Sequence, residues 1–409
     1  MTNALPDRGQ AWETLEARMR DMAKGDVKWR DGRTGLYIFN AGEEVEHVQK
    51  AAYAMFSAEN GLGPAAFPSI AQMEREVVSF GLALLNAPAG AAGAMTSGGT
   101  DSITMAIKAA RDHARAKRGL DKALNIVIPF TAHPAFDKAC ALMDIEVRRV
   151  PVKDYLADVA AMDAAMDAQT LMISGAAPCF PFGLIDPIEA LSALAERRGV
   201  WLHVDACVGG YIAPFVRMNG VELPPFDFSL PGVWSISGDL HKYGYASKGA
   251  STVFFRSEAL REYMTFDAGP WPLGRMVTPT LAGTRPGGAI AAAWAVTQFL
   301  GVEGYREKQR AVTDARAKIE AGVTKLGFRV LGRPQLGIVS FTHDSVDPLA
   351  LYAKMHHRGW FTAALLEPKA LHLMLSPKHN EVADQYLADL EASLNEGSGG
   401  EQLAPRYAG

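Results

Sequence analysis

Cysteine is scarce: Cys140, Cys179 and Cys207 are the only three in 409 residues, an odd set without a C-x-x-C pair. That pattern fits neither a disulfide framework nor a zinc knuckle, and a reducing cytosol is its simplest setting. Long apolar runs are scarce too. The most apolar stretch, 80–95, is interrupted by Asn86, Pro88 and several glycines, and it falls short of the roughly 20 apolar residues a membrane helix needs. Positive charge is not in excess, since 41 Lys and Arg face 45 Asp and Glu for a net charge of −4. No global field therefore draws nucleic acid or an anionic membrane. The segment from Met1 to Asp26 is charged throughout and has no apolar core of a secretory signal. These absences predict a cytoplasmic protein with no integral membrane segment and no nucleic-acid partner.

What is present is an ordinary globular composition, 48% hydrophobic and 21% charged, long enough for about two or three domains. Residues 1–60 read as an N-terminal arm, with a polar helix near 11–23 and a second helix near 43–59. From about 95 to 255 short β-rich runs alternate with helices: strands at 125–129, 147–152, 171–175, 201–205 and 251–255, helices near 101–115, 135–143 and 188–198. That alternation predicts an α/β fold with a mainly parallel sheet and helices on both faces. A Gly/Pro cluster, GTRPGG at 283–288, leads into a long helical region and a small α+β unit with strands at 337–343 and 371–376 and a helix near 348–358. The division expected is an arm at 1–60, a large domain at 61–290, a small C-terminal domain at 291–396 and a flexible tail at 397–409.

Open α/β sheets bind ligands beyond the carboxyl ends of their strands, so polar residues there merit attention first. Asp205 closes the run Trp201-Leu202-His203-Val204-Asp205 and is followed by small residues that admit a flat ligand; capping the next turn is its plainer role. The run Thr96-Ser97-Gly98-Gly99-Thr100-Asp101-Ser102 precedes a helix, where free N–H groups and the helix dipole suit a phosphate, although a simple turn and N-cap has the same composition. Lys242 sits between His241 and Tyr243 in SISGDLHKYG, a setting for a desolvated amine with a lowered pKa, as Schiff-base chemistry requires, where the bland alternative is a surface lysine. Together they match the needs of one cofactor. Pyridoxal phosphate takes a lysine for its aldehyde, an acid for its ring nitrogen and a cradle for its phosphate. His133 adds a planar group able to stack on the ring.

The stretches TSGGTDS, AHPAFDK, GAAPCFPFGLIDPI, LHVDACVGGYIAPF, SISGDLHKYGYASKG and PTLAGTRPGG resemble, in order and spacing, the sphingosine-1-phosphate lyase branch of the pyridoxal-phosphate-dependent group II decarboxylases. The likeness runs from about Gly61 to Tyr305. It implies a fold-type-I, transferase-like architecture with a seven-stranded sheet, and a homodimer with shared active sites. It also implies that Lys242 carries the cofactor, Asp205 pairs with the ring nitrogen and His133 stacks on the ring. Gly99, Thr100 and His241 would hold the phosphate, with Gly283 and Thr284 from the other subunit, while Lys248 and Asn60 would meet the substrate. No metal is implied, and His356-His357 has no acidic or cysteine companions in sequence.

Three departures stand out. The family's asparagine-proline-leucine-histidine stretch is Asn60-Gly61-Leu62-Gly63 here, Ser247 replaces a proline before Lys248, and the membrane anchor of the eukaryotic enzymes is not in the sequence. The reaction implied is carbon–carbon cleavage of a small β-hydroxy amine, such as a phosphorylated long-chain base like sphingosine 1-phosphate, into an aldehyde and a smaller amine. The alternative is α-decarboxylation of an amino acid. A transaminase would need an arginine for the carboxylate, for which Arg285 is the candidate, and Gly61-Leu62-Gly63-Pro64-Ala65-Ala66 nominally fits a dinucleotide fingerprint without a preceding strand. Phe266, Trp271 and Tyr263 read as packing residues, with a substrate channel as the alternative.

Overall fold

The computed structural model describes residues 5–396; the expected tail at 397–409 lies outside them. Seven strands form the central sheet: β1 (Ala92–Thr96), β2 (Asn125–Pro129), β3 (Glu146–Val150), β4 (Thr170–Ala176), β5 (Trp201–Asp205), β6 (Val233–Gly238) and β7 (Ser251–Phe255). Their order is β1-β7-β6-β5-β4-β2-β3. Only β7 runs against its neighbours, β1 and β6, and the rest are parallel. The strands read from sequence are therefore present, and β3 ends one residue before Pro151, which cannot donate to a ladder.

Strands β2, β4, β5 and β7 are buried along their whole length, which is why they are mostly apolar on both faces. Successive side chains still alternate between two cores. Val127, Leu202, Val204 and Phe254 join one cluster, while Ile126, Ile128, Trp201, Val253 and Phe255 join the other, as the period of 2 requires. The second cluster is covered by the helices Gly99–Arg118 and Ala135–Met143. The first of these carries Asp101 in its opening turn and Arg115, Lys117 and Arg118 in its last, matching the helix dipole at both ends.

The apolar stretch 80–95 resolves into the end of a helix (Pro68–Leu84), a turn and β1. Among the described residues no helix is long and apolar enough to cross a membrane. A long helical segment, Gly287–Lys325, crosses position 290 and breaks at Gly301, whose φ of 54° is left-handed. Its first two glycines explain the GTRPGG cluster: a Cβ on Gly288 would lie 2.7 Å from the Tyr53 carbonyl and one on Gly287 2.7 Å from that of Glu59. Without side chains there, the helix packs against Glu43–Met55, which ends four residues before the expected 59. A second, antiparallel sheet of four strands, with Ile338–Thr342 and Lys369–Met374 at its centre, makes the small unit. Helix Trp12–Met22 of the arm buries none of its residues.

Candidate active site

The carboxyl ends of β4, β5 and β6 and the start of helix Gly99–Arg118 converge on a cavity of about 390 Å³. Gly99, Thr100, His133, Asp205, His241 and Lys242 all line it. Sequence separations of more than a hundred residues thus collapse into one site. Lys242 lies in the loop between β6 and β7, and three tyrosine hydroxyls tie that loop to its surroundings. Tyr243 donates to the Leu375 carbonyl at 2.6 Å, Tyr305 donates to the Gly244 carbonyl at 2.8 Å, and Tyr245 accepts from Gln309 at 3.1 Å.

The immediate partner of Lys242 is Asp239, a residue with no role in the sequence reading although it stands three positions earlier in the same motif. Its Oδ2 is 2.9 Å from Lys242 Nζ, and its Oδ1 accepts from Ser251 at 2.5 Å. Burial opposes the charge on both groups, yet their attraction prevails: the amine is held above its ordinary pKa and the carboxyl below its own. The lysine is thus a positioned ammonium with a proton acceptor attached.

Asp205 ends β5 with Oδ1 accepting from the Cys207 amide at 3.0 Å and from Ser237 at 3.4 Å. His133 accepts from the Ala135 amide at its Nδ1, 3.1 Å away, and burial, only partly countered by Asp205, lowers its pKa. Its imidazole is accordingly neutral at pH 7, with the proton on Nε2. Burial likewise takes His241 down to about 4.

These residues fit pyridoxal phosphate. A Cβ on Gly99 would stand 2.7 Å from Cys207 Sγ and 3.0 Å from Asp239 Oδ2, so the cradle is open only because that position is glycine. The first turn of the helix leaves its N–H groups without intrahelical acceptors. His241 Nδ1 is buried with no hydrogen-bond partner, an unmet valence at the cavity wall.

Other predicted residues lie elsewhere in this chain. Asn60 donates to Thr284 Oγ1 at 3.2 Å, and neither these two nor Gly283 lines the cavity. Arg285, the arginine a transaminase would use, is instead ion-paired with Glu74 and donates to the Gly61 carbonyl at 3.0 Å. The 61–66 segment forms turns between two helices, so the dinucleotide fingerprint has no strand to follow. Tyr263 packs in the core, but Phe266 and Trp271 are more than half exposed on a hairpin, Phe266–Ala268 with Met276–Thr278, which corrects their reading as packing residues.

Lys248 lines an adjoining cavity of about 260 Å³ that shares His241 with the first. Although its side chain is solvent-accessible, the Nζ donates to the carbonyls of Tyr37 at 2.8 Å and His241 at 3.0 Å. Loss of hydration, then the charge of Lys242, lowers it to about 8. A third cavity, of about 460 Å³ and walled mainly by Phe130, Phe180, Pro181, Tyr352 and Ala363–Leu366, shares Thr131, His133 and Phe180 with the first.

A mostly parallel sheet with a tethered lysine loop, an acid at a strand end and a glycine cradle defines the class as an α/β enzyme built for an aldehyde cofactor. The pyridoxal-dependent decarboxylase conserved domain matches residues 1–344. The chain belongs to that family, in the branch of the sphingosine-1-phosphate lyases, and is a pyridoxal-phosphate-dependent lyase. It is 42% identical over 393 residues to the sphingosine-1-phosphate lyase of Oryza sativa, covering 94% of this chain and 71% of that protein. The structure of the Burkholderia pseudomallei sphingosine-1-phosphate lyase matches with a TM-score of 0.93 at 37% identity, over 97% of this chain and 93% of the other. A probable L-tyrosine/L-aspartate decarboxylase of Methanothermobacter thermautotrophicus is 33% identical over 346 residues, 84% of this chain and 93% of its own.

Proposed function

We propose that the protein cleaves a phosphorylated long-chain β-hydroxy amine, sphingosine 1-phosphate or a close analogue, into an aldehyde and a smaller phosphorylated amine. The observation that carries this reading is the pair of cavities adjoining the cofactor site. One is walled mainly by apolar side chains, with Asp137 and Arg149 also on its wall, and suits an alkyl chain. The other is bordered by Arg30, Lys50 and Lys248 against a single carboxylate, Glu46, an excess of cations that suits a phosphate. Arg30 and Lys50 both reach Glu46, Arg30 at 2.6 Å and Lys50 at 2.5 Å; they supply positive charge in a chain that has Gly63 in place of the family histidine.

Bound pyridoxal phosphate supplies the electron sink that labilises a bond at the substrate Cα. Lys242 would hold the cofactor, Asp205 would pair with its ring nitrogen, and His133, fixed by the Ala135 amide, would stack on the ring. Gly99, Thr100 and His241 would take the cofactor phosphate. A base removes the β-hydroxyl proton, the Cα–Cβ bond breaks as the aldehyde carbonyl forms, and Cα regains a proton. Lys242 beside Asp239 is the proton carrier best placed in the cavity.

A homodimer completes the site in this reading. Gly283 and Thr284 lie outside their own cavity, and the neighbouring hairpin exposes Phe266, Trp271, Leu273 and Val277, an apolar patch that a second copy would cover. Asn60, bonded to Thr284, would reach the substrate from the same side. The three-part division at 60 and 290 and a cytoplasmic location belong to the same proposal.

The test is to supply phosphorylated and unphosphorylated long-chain bases together with aromatic and acidic amino acids, measuring aldehyde and carbon dioxide separately. Aldehyde from the phosphorylated bases alone is expected. Carbon dioxide from an amino acid without aldehyde would replace this reading with decarboxylation, the activity in the archaeal relative's name.

A further inference from the structure

Strands β5 and β6 lie side by side in parallel, with His203 opposite Ser235 and Asp205 opposite Ser237. The period of 2 puts Trp201, His203 and Asp205 on one face, interleaved with the two serines. A continuous hydrogen-bond chain results. Trp201 Nε1 donates to Ser235 Oγ at 2.7 Å, Ser235 Oγ is 2.8 Å from His203 Nδ1, His203 Nε2 is 3.3 Å from Ser237 Oγ, and Ser237 Oγ donates to Asp205 Oδ1 at 3.4 Å. All of these side chains are buried, three of them completely.

The direction of the chain follows from donor counting. An indole N–H can only donate, so Ser235 Oγ accepts from Trp201. The one proton on Ser235 then has His203 Nδ1 as its acceptor; were Nδ1 protonated instead, the serine proton would be a buried donor with nothing to accept it, an arrangement folded proteins avoid. His203 therefore carries its proton on Nε2 and donates to Ser237. Cys207, whose thiol burial keeps protonated, donates to the same Ser237 Oγ at 3.3 Å. With both lone pairs taken, the Ser237 proton can go only to Asp205. The last link is the longest, and its direction is set by the bonds upstream.

We infer that Trp201, Ser235, His203 and Ser237 form a one-way relay that holds a hydrogen-bond donor on Asp205 Oδ1. With the Cys207 amide it saturates that oxygen and directs Oδ2 toward the cavity. The relay rests on the reading of Asp205 as the partner of the cofactor's ring nitrogen. Its four members are positioning residues: two donors on one oxygen fix the rotation of the carboxylate and so the direction in which its second oxygen points.

Nitrogen NMR of the histidine-labelled, cofactor-free protein reads the tautomer directly. His203 is expected to be neutral with its proton on Nε2 throughout the range from about pH 6 to 9, because burial lowers its pKa to about 4. A wild-type His203 protonated on Nδ1 overturns the proposal. In Trp201→Phe the directing donor is gone and a mixture of tautomers should appear. Ser237→Ala, the smaller change should Trp201→Phe fail to fold, should weaken cofactor binding about tenfold and move the pH midpoint of the visible absorption band by about one unit, with Ser237→Thr restoring both. If Ser237→Ala changes neither while Asp205→Asn changes both, the relay is wrong and the Asp205 reading stands. If Asp205→Asn also changes neither, that reading has failed.

Discussion

The floor of the cofactor cavity and the rim that would meet substrate are built on different principles. On the floor, Asp205, Ser237 and Asp239 are nearly or fully buried, and Lys242, Asp205 and Asp239 each have a fixed partner within the same chain. At the rim, Thr284 and the hairpin around Leu273 are exposed and Asn60 is half-buried; Asn60 and Thr284 bond to one another rather than to the cavity. The contrast teaches that the groups facing the cofactor cavity are fixed by strand ends and buried partners, while Asn60 and Thr284 stand on loops outside it. The altered Asn60–Gly63 stretch lies in the second region.

The largest effect should come from the floor. Lys242→Ala removes the amine that carries the cofactor, and turnover should fall by about a thousandfold or more, with loss of the visible absorption band in the same sample. Next comes the cradle: Gly99→Ala places a methyl 2.7 Å from Cys207 Sγ, and equilibrium dialysis should register at least about tenfold weaker cofactor binding. Lys248→Met, at the rim, should raise KM for a phosphorylated substrate about tenfold while leaving cofactor affinity unchanged; an equal loss of binding affinity for the unphosphorylated base would remove the contrast between the regions.

The same lysine sets a pH dependence. Its lowered pKa of about 8 means that the ammonium is present below that value and lost as pH rises through it, so KM for a phosphorylated substrate should climb above about pH 8. The dissociation constant of the unphosphorylated base should stay flat over that interval. The smallest effect on the fold itself belongs to the hairpin. Leu273→Lys, at a side chain 85% exposed, should change unfolding free energy by less than about 0.5 kcal/mol, and sedimentation should record a larger monomer fraction.

The sheet was legible because its strands are buried on both faces, which writes 125–129, 171–175 and 201–205 as short, β-rich and mostly apolar runs between helical segments. Lys242, Asp205 and the Gly98–Thr100 turn were legible because each sits where a strand or helix ends. Asp239 went unassigned although it lies in the lysine motif: a carboxylate three residues before a lysine looks like any local ion pair until both are buried. The hairpin was also missed, since its three-residue strands are separated by Gly269, Pro270, Pro272 and Gly274, a composition that reads as loop. Gly283 and Thr284 carry no apolar periodicity, so nothing in their local sequence places them relative to a cavity formed by residues 97–242.

The central claim is tested most directly by adding sphingosine 1-phosphate to the cofactor-loaded protein and quantifying the long-chain aldehyde and the phosphorylated amine together. Equal amounts of the two, formed by wild type and not by Lys242→Ala, are predicted. An intact substrate alongside a normal visible absorption band would contradict the assignment of this lyase to phosphorylated long-chain bases.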